Sequence, residues 1–174
     1  MSAAPLERIT IEPTLPATAC VIWLHGLGDS GAGFSPIVPE LGLPKNHPVR
    51  FVFPHAPEQP VTINQGYVMR SWYDIKSMDL HNRADMQGVL ESEVKVRALI
   101  SEQISAGIPA SNIVLAGFSQ GGVVVCLQVY VTLKSLLALW RCHVTYLMLT
   151  PCLSNLVKLT VKLIFYNCMV KMMM

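Results

Sequence analysis

"NIVLAGFSQGG" (residues 112–122) sets a serine between close glycines, directly after a short apolar run. The pattern G-x-S-x-G is typical of a nucleophile elbow, a strand-to-helix turn that is too tight for side chains at the glycine positions. The serine then stands at the head of a helix with its hydroxyl exposed. We therefore interpret Ser119 as a candidate catalytic nucleophile; the alternative is a plain turn with an idle serine.

A second glycine-rich loop, "HGLGD" (residues 25–29), follows an earlier apolar run. A serine nucleophile that attacks an acyl group needs backbone N–H groups that stabilise the oxyanion. In an elbow enzyme one of these belongs to the residue after the serine, here Gln120, and the other to a loop after an early strand, here Leu27. The alternatives are a plain loop and a phosphate-binding loop, although the chain has no G-x-x-x-x-G-K-[ST] pattern.

Three short apolar runs predict strands that are buried on both faces, as in a parallel sheet. They are "ACVIWL" (19–24), "VRFVFP" (49–54) and "NIVLA" (112–116). A long helical pattern at 83–107 separates the second run from the third. Strands that alternate with a helix of this length indicate right-handed βαβ units and an α/β fold.

The helical pattern predicts which face of that helix is buried. Met86, Leu90 and Val94 recur four residues apart, and charged residues crowd the other side. Three further apolar residues widen the predicted buried face: Val89, Leu99 and Ile100. Gly107 and Pro109 predict the end of the helix.

Four quoted segments together resemble one family. "VIWLHGLGDSGAGF", "FPHAPEQPVTIN", "MRSWYDI" and "GIPASNIVLAGFSQGG" are similar to segments of the phospholipase/carboxylesterase family of α/β-hydrolases, which includes acyl-protein thioesterases; the likeness is closest to bacterial cytoplasmic carboxylesterases. The resemblance covers roughly residues 5–124. It implies an α/β-hydrolase fold with a mostly parallel, doubly wound sheet, and a cofactor-free hydrolase of acyl esters and thioesters.

The same resemblance implies roles for individual residues. Ser119 corresponds to the nucleophile, and Leu27 and Gln120 to the residues of the oxyanion hole. Trp72 and Tyr73 resemble the part of the family pattern that lines the acyl site, and core packing is the alternative for both. The family also implies a possible homodimer.

Composition argues against several classes of function. A formal net charge of +2 gives no reason to expect nucleic acid as a partner. The chain has 5 cysteines without a C-x-x-C pair, so we expect neither a disulfide framework nor a metal site, and a reducing cytoplasm fits best. Acids at Glu7 and Glu12 argue against a signal peptide at this end of the sequence.

The composition changes sharply after Gly122. All 11 acidic residues lie within 1–122, whereas 123–174 is apolar and contains only basic charges. Gln128 and Lys134 interrupt the apolar run that follows the elbow, so we do not expect a membrane span there. A helix over 123–139 fits the pattern better.

A serine hydrolase of this fold also needs a histidine and a carboxylate, which follow the serine along the chain. In this chain Glu102 is the last acid, and His143 is the only histidine after Ser119. The family segments that carry the catalytic aspartate and histidine are not recognisable here. Earlier residues are weaker substitutes. The histidines among them are His25, His47, His55 and His81, and the acids are Asp29, Asp74 and Asp79.

These observations lead to a hypothesis about the region after the elbow. When 136–156 and 165–174 are reassembled in the +1 reading frame, permitted codons spell segments similar to the family's next strand and its approach to the catalytic aspartate. We therefore predict that residues 1–122 are the N-terminal part of an α/β-hydrolase domain. Residues 123–174 are then a non-homologous apolar tail produced by a frameshift.

Overall fold

The computed structural model describes residues 6–77 and 85–144, and for 133–144 it describes the course of the helix only. Within these residues the chain forms one mixed sheet, a small hairpin and two long helices. The strands are β1 (Arg8–Ile11), β2 (Ala19–Leu24), β3 (Val49–Pro54), β4 (Glu58–Val61), β5 (Tyr67–Arg70) and β6 (Ile113–Gly117). The helices are α1 (Gly31–Phe34), α2 (Ile37–Glu40), α3 (Met86–Ser105) and α4 (Gln120–Val144), with short 3-10 turns at Thr62–Asn64 and Ala110–Asn112.

The main sheet has the order β1-β3-β2-β6. β2 runs parallel to both β3 and β6, and β1 joins the outer edge of β3 in antiparallel fashion. The three predicted strands are confirmed, with the third displaced by one residue. Since β2 and β6 pair Leu24 with Gly117, their carboxyl ends coincide, and the two glycine-rich turns that follow them meet there.

Helix α3 is present as predicted, but its predicted buried face is only partly correct. Val89 and Leu99 are buried as predicted, at 1% and 3% exposed, whereas Met86, Leu90 and Val94 are exposed, at 60%, 44% and 47%. The buried face consists of Val89, Ser92, Glu93, Val96, Leu99 and Gln103. Both sets have helical spacing, so periodicity could not choose between them.

Contacts at the start of α3 determine its rotation. Asp85 caps the helix by accepting a hydrogen bond from the Gly88 N–H at 3.2 Å. A Cβ on Gly88 would lie 3.1 Å from the Tyr73 Cβ, so the first turn sits directly on this residue. The buried Ser92 hydroxyl then donates to the carbonyl oxygen of Trp72. These contacts place the 89/92/96/99 side of the helix inward.

Helix α4 follows the elbow without a break and contains the expected 123–139 segment. Its first turns are anchored in the core, because Val124 and Val125 are 0% and 3% exposed, and α3 packs against it. None of the helices in the described residues combines the length and the apolarity that a bilayer crossing needs. The change in composition after Gly122 thus falls within one continuous helix.

Candidate active site

Ser119 occupies the turn between β6 and α4 with a backbone φ of 50°. This left-handed conformation costs a non-glycine residue roughly 1–2 kcal/mol and persists only where surrounding contacts enforce it. The Phe118 N–H donates to the Leu24 carbonyl at 3.0 Å, and the Gly121 N–H donates to the Phe118 carbonyl at 2.9 Å. Ser119 is exposed, so its hydroxyl is available for reaction at the head of a helix.

Two glycines make this turn possible. A Cβ on Gly117 would lie 2.6 Å from the carbonyl carbon and oxygen of Gly121. A Cβ on Gly121 would lie 2.6 Å from the carbonyl oxygens of both Leu24 and His25. Backbone therefore packs against backbone on both sides of Ser119, which explains the glycines at these positions.

The loop at 25–29 lies beside the elbow. A Cβ built on Gly26 would be 3.6 Å from the Ser119 Cβ, so Gly26 is in contact with the serine. Leu27 is the next residue in the chain. No acceptor within the described part of the chain receives the Leu27 N–H. Gln120 is the first residue of α4, and the N–H at this position has no acceptor within the helix. The two predicted oxyanion donors therefore belong to turns that meet at Ser119.

The phosphate-loop alternative receives no support from the geometry. Residues 26–31 do spell G-x-G-x-x-G, but the helix that follows, α1, is only four residues long. The Gly31 N–H donates to His55 Nδ1 at 3.1 Å, and the Gly31 Cα packs against the Phe53 carbonyl. The backbone N–H groups of Gly31 and Gly33 at this helix start already donate to His55 and Ser30, so they are not available to a phosphate.

His25 is fully buried, and both of its ring nitrogens are engaged. Nε2 accepts the Ala56 N–H at 3.0 Å, so the proton must be on Nδ1, which lies 2.7 Å from the Gly26 carbonyl oxygen and donates to it. Burial lowers the pKa of His25, partly offset by this hydrogen bond and by Asp29. A neutral histidine with no free nitrogen cannot serve as a general base.

The other described candidates for the histidine and carboxylate also form hydrogen bonds with groups other than Ser119. His55 and His47 each accept a backbone N–H through Nδ1, from Gly31 and Val49 respectively. Asp74 accepts both the backbone and the hydroxyl of Thr62, at 2.7 and 2.6 Å. Asp29 accepts the Ser30 N–H at 2.7 Å. The remaining acid and histidine considered from sequence, Asp79 and His81, lie outside the described residues.

His143 is on α4, about 24 residues after Ser119. At 1.5 Å per residue the two backbones are separated by about 36 Å along the helix. A general base must come within hydrogen-bonding distance of the proton that it accepts. Within the same helix, His143 therefore cannot act on Ser119.

Trp72 and Tyr73 are buried, at 1% and 5% exposed. Burial of this extent favours their alternative interpretation, core packing, over an open acyl-contacting surface. Sequence reasoning missed the polar network around them. Gln120 Oε1 accepts the Trp72 N–H at 2.8 Å, and Gln120 Nε2 donates to the Ser71 hydroxyl and the Tyr73 carbonyl at 2.9 and 2.6 Å. The only sequence signal was the presence of "RSWYDI" among the family-like segments.

A cavity of about 530 Å³ lies away from Ser119. Charges of both signs line it, including Glu7, Arg70 and Lys95, and Arg70 already contacts Glu7 at 3.6 Å and the Ala56 carbonyl at 3.0 Å. Neither the predicted nucleophile Ser119 nor the predicted oxyanion-hole residues Leu27 and Gln120 line it. In the residues that the structure describes, no group of three or more His, Cys, Asp or Glu is placed to hold a metal ion.

The sequence is similar to those of several proteins named acyl-protein thioesterase. Acyl-protein thioesterase 1 of Yarrowia lipolytica is 48% identical over 120 residues, which are 67% of this chain and 52% of the relative. Acyl-protein thioesterase 1 of Cryptococcus neoformans is 42% identical over 136 residues, 75% of this chain and 56% of the relative. The chain thus spans about half the length of the curated relatives that it matches.

Solved structures show the same partial coverage. Arabidopsis thaliana SOBER1 superposes with a TM-score of 0.60 at 37% identity, over 64% of this chain and 54% of that chain. Zea mays acyl-protein thioesterase 2 superposes with a TM-score of 0.57 at 28% identity, over 68% of this chain and 48% of that chain. The family model described as Phospholipase/Carboxylesterase matches residues 7–172. The chain belongs to the phospholipase/carboxylesterase family of α/β-hydrolases.

Proposed function

We propose that this chain carries the nucleophile half of a serine hydrolase that cleaves carboxylic esters or thioesters of acyl chains. The observation that carries the proposal is Ser119, exposed in a left-handed conformation at the start of α4 and flanked by glycines that admit no side chain. The substrate class follows from family membership and from the relatives named acyl-protein thioesterase. The proposed location is the cytoplasm, and the proposed assembly is a homodimer.

The proposed reaction proceeds through an acyl-enzyme. The Ser119 hydroxyl oxygen attacks the acyl carbonyl carbon, and the N–H groups of Leu27 and Gln120 donate hydrogen bonds to the oxyanion that forms. The alcohol or thiol leaves, and water then attacks the acyl-serine and releases the carboxylic acid. Trp72 and Tyr73 are proposed to support the acyl site from within the core. No cofactor takes part in this scheme.

The second candidate function is that of a catalytically impaired product that retains the fold around the elbow. It is favoured by the geometry of the described residues, in which each histidine is either engaged elsewhere or far along α4 from Ser119. Serine hydrolases that lack triad members retain only about 10³–10⁴-fold acceleration over water. We therefore expect this exact chain to have little or no activity.

A fluorophosphonate probe separates the two candidates. Labelling that is comparable in rate to that of an active esterase, and is abolished in Ser119→Ala, supports the hydrolase and excludes the impaired product. Intact-mass measurement of unlabelled protein under the same conditions supports the impaired product. The chain kept in denaturant serves as the control for reaction that does not depend on the fold.

The reading-frame hypothesis is a separate proposal about residues 123–174. It is supported by the loss of all acidic residues after Gly122. The family model nevertheless matches up to residue 172, and this match weighs against the hypothesis. The nucleotide sequence around codons 120–130 decides the matter: a +1 reading without a family-like continuation would rule the frameshift out.

A further inference from the structure

Trp72 donates two hydrogen bonds, one to each of the two turns that meet at Ser119. Its indole Nε1–H donates to the carbonyl oxygen of His25 at 2.9 Å. Its backbone N–H donates to the side-chain oxygen of Gln120 at 2.8 Å. The acceptors are far apart in sequence: His25 is the first residue of the 25–29 loop, and Gln120 directly follows Ser119. One residue therefore joins the two turns that meet at the nucleophile.

On the loop side, the contact reaches the peptide group that carries the Leu27 N–H. His25 accepts the indole N–H through its carbonyl oxygen and donates from Nδ1 to the Gly26 carbonyl oxygen at 2.7 Å. That carbonyl and the Leu27 N–H belong to the same planar peptide unit. Fixing the carbonyl therefore fixes the direction of the N–H. The rings of His25 and Trp72 are also in contact, with centroids 5.3 Å apart.

On the elbow side, the contact reaches the residue that carries the other donor. The Gln120 amide uses its oxygen for the Trp72 N–H and its nitrogen for Ser71 and Tyr73. Trp72, His25 and Gln120 are 1%, 0% and 3% exposed. Hydrogen bonds in so dry an environment are strong, and a network whose members are satisfied rigidifies the surrounding structure.

We propose that Trp72 is a positioning residue, whose two N–H groups hold the peptide groups of Leu27 and Gln120 in a fixed relative orientation around Ser119. This role differs from the acyl-lining role that the family resemblance implies, and it agrees with the burial of the indole. The inference rests on the proposed function only for the assignment of these two N–H groups as oxyanion donors.

The chain offers a matched pair of tryptophans for the test. Trp72→Phe removes the indole N–H that bonds to His25 and keeps an aromatic ring in the core. Trp23→Phe is the control, because the Trp23 indole N–H is buried but has no acceptor within the described residues. Both changes reduce ring size, and only the first removes a hydrogen bond to the loop.

The first measurement is ¹⁵N relaxation of backbone amides in the full chain, which does not depend on activity. Trp72→Phe is expected to lower the order parameter of Leu27 from about 0.85, a rigid value, towards 0.6. Trp23→Phe is expected to leave it unchanged. An unchanged order parameter at Leu27 in Trp72→Phe would overturn the proposal, as would an equal loss in the two variants.

The second measurement is calorimetric binding of butylboronic acid, which forms a tetrahedral anionic adduct with a reactive serine. Trp72→Phe is expected to bind about tenfold more weakly than Trp23→Phe, since the full loss of one oxyanion donor costs 10²–10³-fold in rate. Equal affinity of the two variants would overturn a role in the oxyanion site. The parent chain could bind no boronate while the order parameter of Leu27 still falls in Trp72→Phe. The hydrolase proposal would then fail, and the positioning role of Trp72 would be supported.

A second variant covers the case in which Trp72→Phe does not fold. β-(Benzothien-3-yl)alanine at position 72 keeps the shape of the indole and replaces its N–H by sulfur. We expect it to loosen Leu27 as Trp72→Phe does. A rigid Leu27 in this variant would show that packing of the ring, rather than its hydrogen bond, holds the loop.

Discussion

The two glycine-rich turns that meet at Ser119 differ in how they exclude side chains. In the elbow, a Cβ on Gly121 would lie 2.6 Å from the backbone carbonyl oxygens of Leu24 and His25, and the Leu24 carbonyl is held by the Phe118 N–H. In the loop at 25–29, a Cβ on Gly26 would meet the Phe118 side chain at 3.0 Å. Gly28 has a φ of 76°, and the nearest atom to its Cβ position is a methionine sulfur at 3.6 Å.

A glycine beside an active site can thus be required for either of two physical reasons. The elbow glycines are required by contact between backbones, so any side chain is excluded. Gly28 is required by its backbone conformation, and space for a side chain is available. The elbow is therefore a packed joint, whereas the loop is an open turn whose left-handed conformation at Gly28 suits glycine. Substitutions at matched positions can test whether this distinction holds.

The largest effect is expected for Gly121→Ala. Its methyl group would overlap the Leu24 and His25 carbonyl oxygens, and overpacking of this kind costs about 3 kcal/mol or more. Urea denaturation should show the loss of stability. Gly122→Ala is the control, because its Cβ would come no closer than 3.3 Å to the Gly117 carbonyl oxygen. A similar loss in both variants would contradict the packed-joint interpretation.

A smaller effect is expected for Gly28→Ala. The side chain has room, but a left-handed φ costs an alanine about 1–2 kcal/mol. Asparagine tolerates this conformation better, so Gly28→Asn should recover part of the loss. The measurement is again the free energy of unfolding from urea titration. An alanine variant as stable as the parent would show that the loop relaxes to another conformation.

The strain at Ser119 itself predicts a gain in stability. Ser119→Gly removes the nucleophile and also the cost of a positive φ, so we expect stabilisation by about 1 kcal/mol relative to Ser119→Ala. Both variants lose the hydroxyl, which leaves backbone conformation as the main difference between them. Equal stability of the two variants would mean that the φ of 50° is not strained in solution.

The smallest expected effect is on the pH dependence of stability, and it concerns His25, the buried first residue of the 25–29 loop. Burial lowers the pKa of His25 below that of the unfolded chain, where a histidine titrates near 6.5. The unfolded chain therefore binds the proton more readily, and stability should be full above about pH 6.5 and fall as the pH drops below it. Unfolding free energies from pH 7.5 to 5 measure this dependence.

His25→Asn is the comparison for this titration. It has no group to protonate at position 25, so its stability should depend less on pH over the same range, even if it is lower throughout. A parent chain and variant with parallel pH dependence would show that other groups dominate. The ¹⁵N shifts of the His25 ring give an independent check, with the proton expected on Nδ1.

Much of the fold and part of the site followed from local sequence. The continuous apolar runs at 19–24 and 49–54 became β2 and β3 without displacement, and none of their residues is exposed. A strand that is at least partly buried on both faces is apolar at nearly every position, so its ends can be located in the sequence. The elbow was equally readable, since its glycines are dictated by a turn of five residues. Antiparallel β1 and the β4–β5 hairpin were not predicted, because their short strands are partly polar.

The sequence by itself determined that Ser119 would sit in a strained turn between a buried strand and a helix, and that a glycine-rich loop would follow the neighbouring strand. Only the tertiary structure decided which face of α3 is buried, because two stripes of apolar residues have the same helical spacing. It also decided the surroundings of Trp72, whose partners His25 and Gln120 are 47 and 48 residues away in the chain. Spacing along the chain records local conformation, whereas such hydrogen bonds exist only after the sheet has brought its turns together.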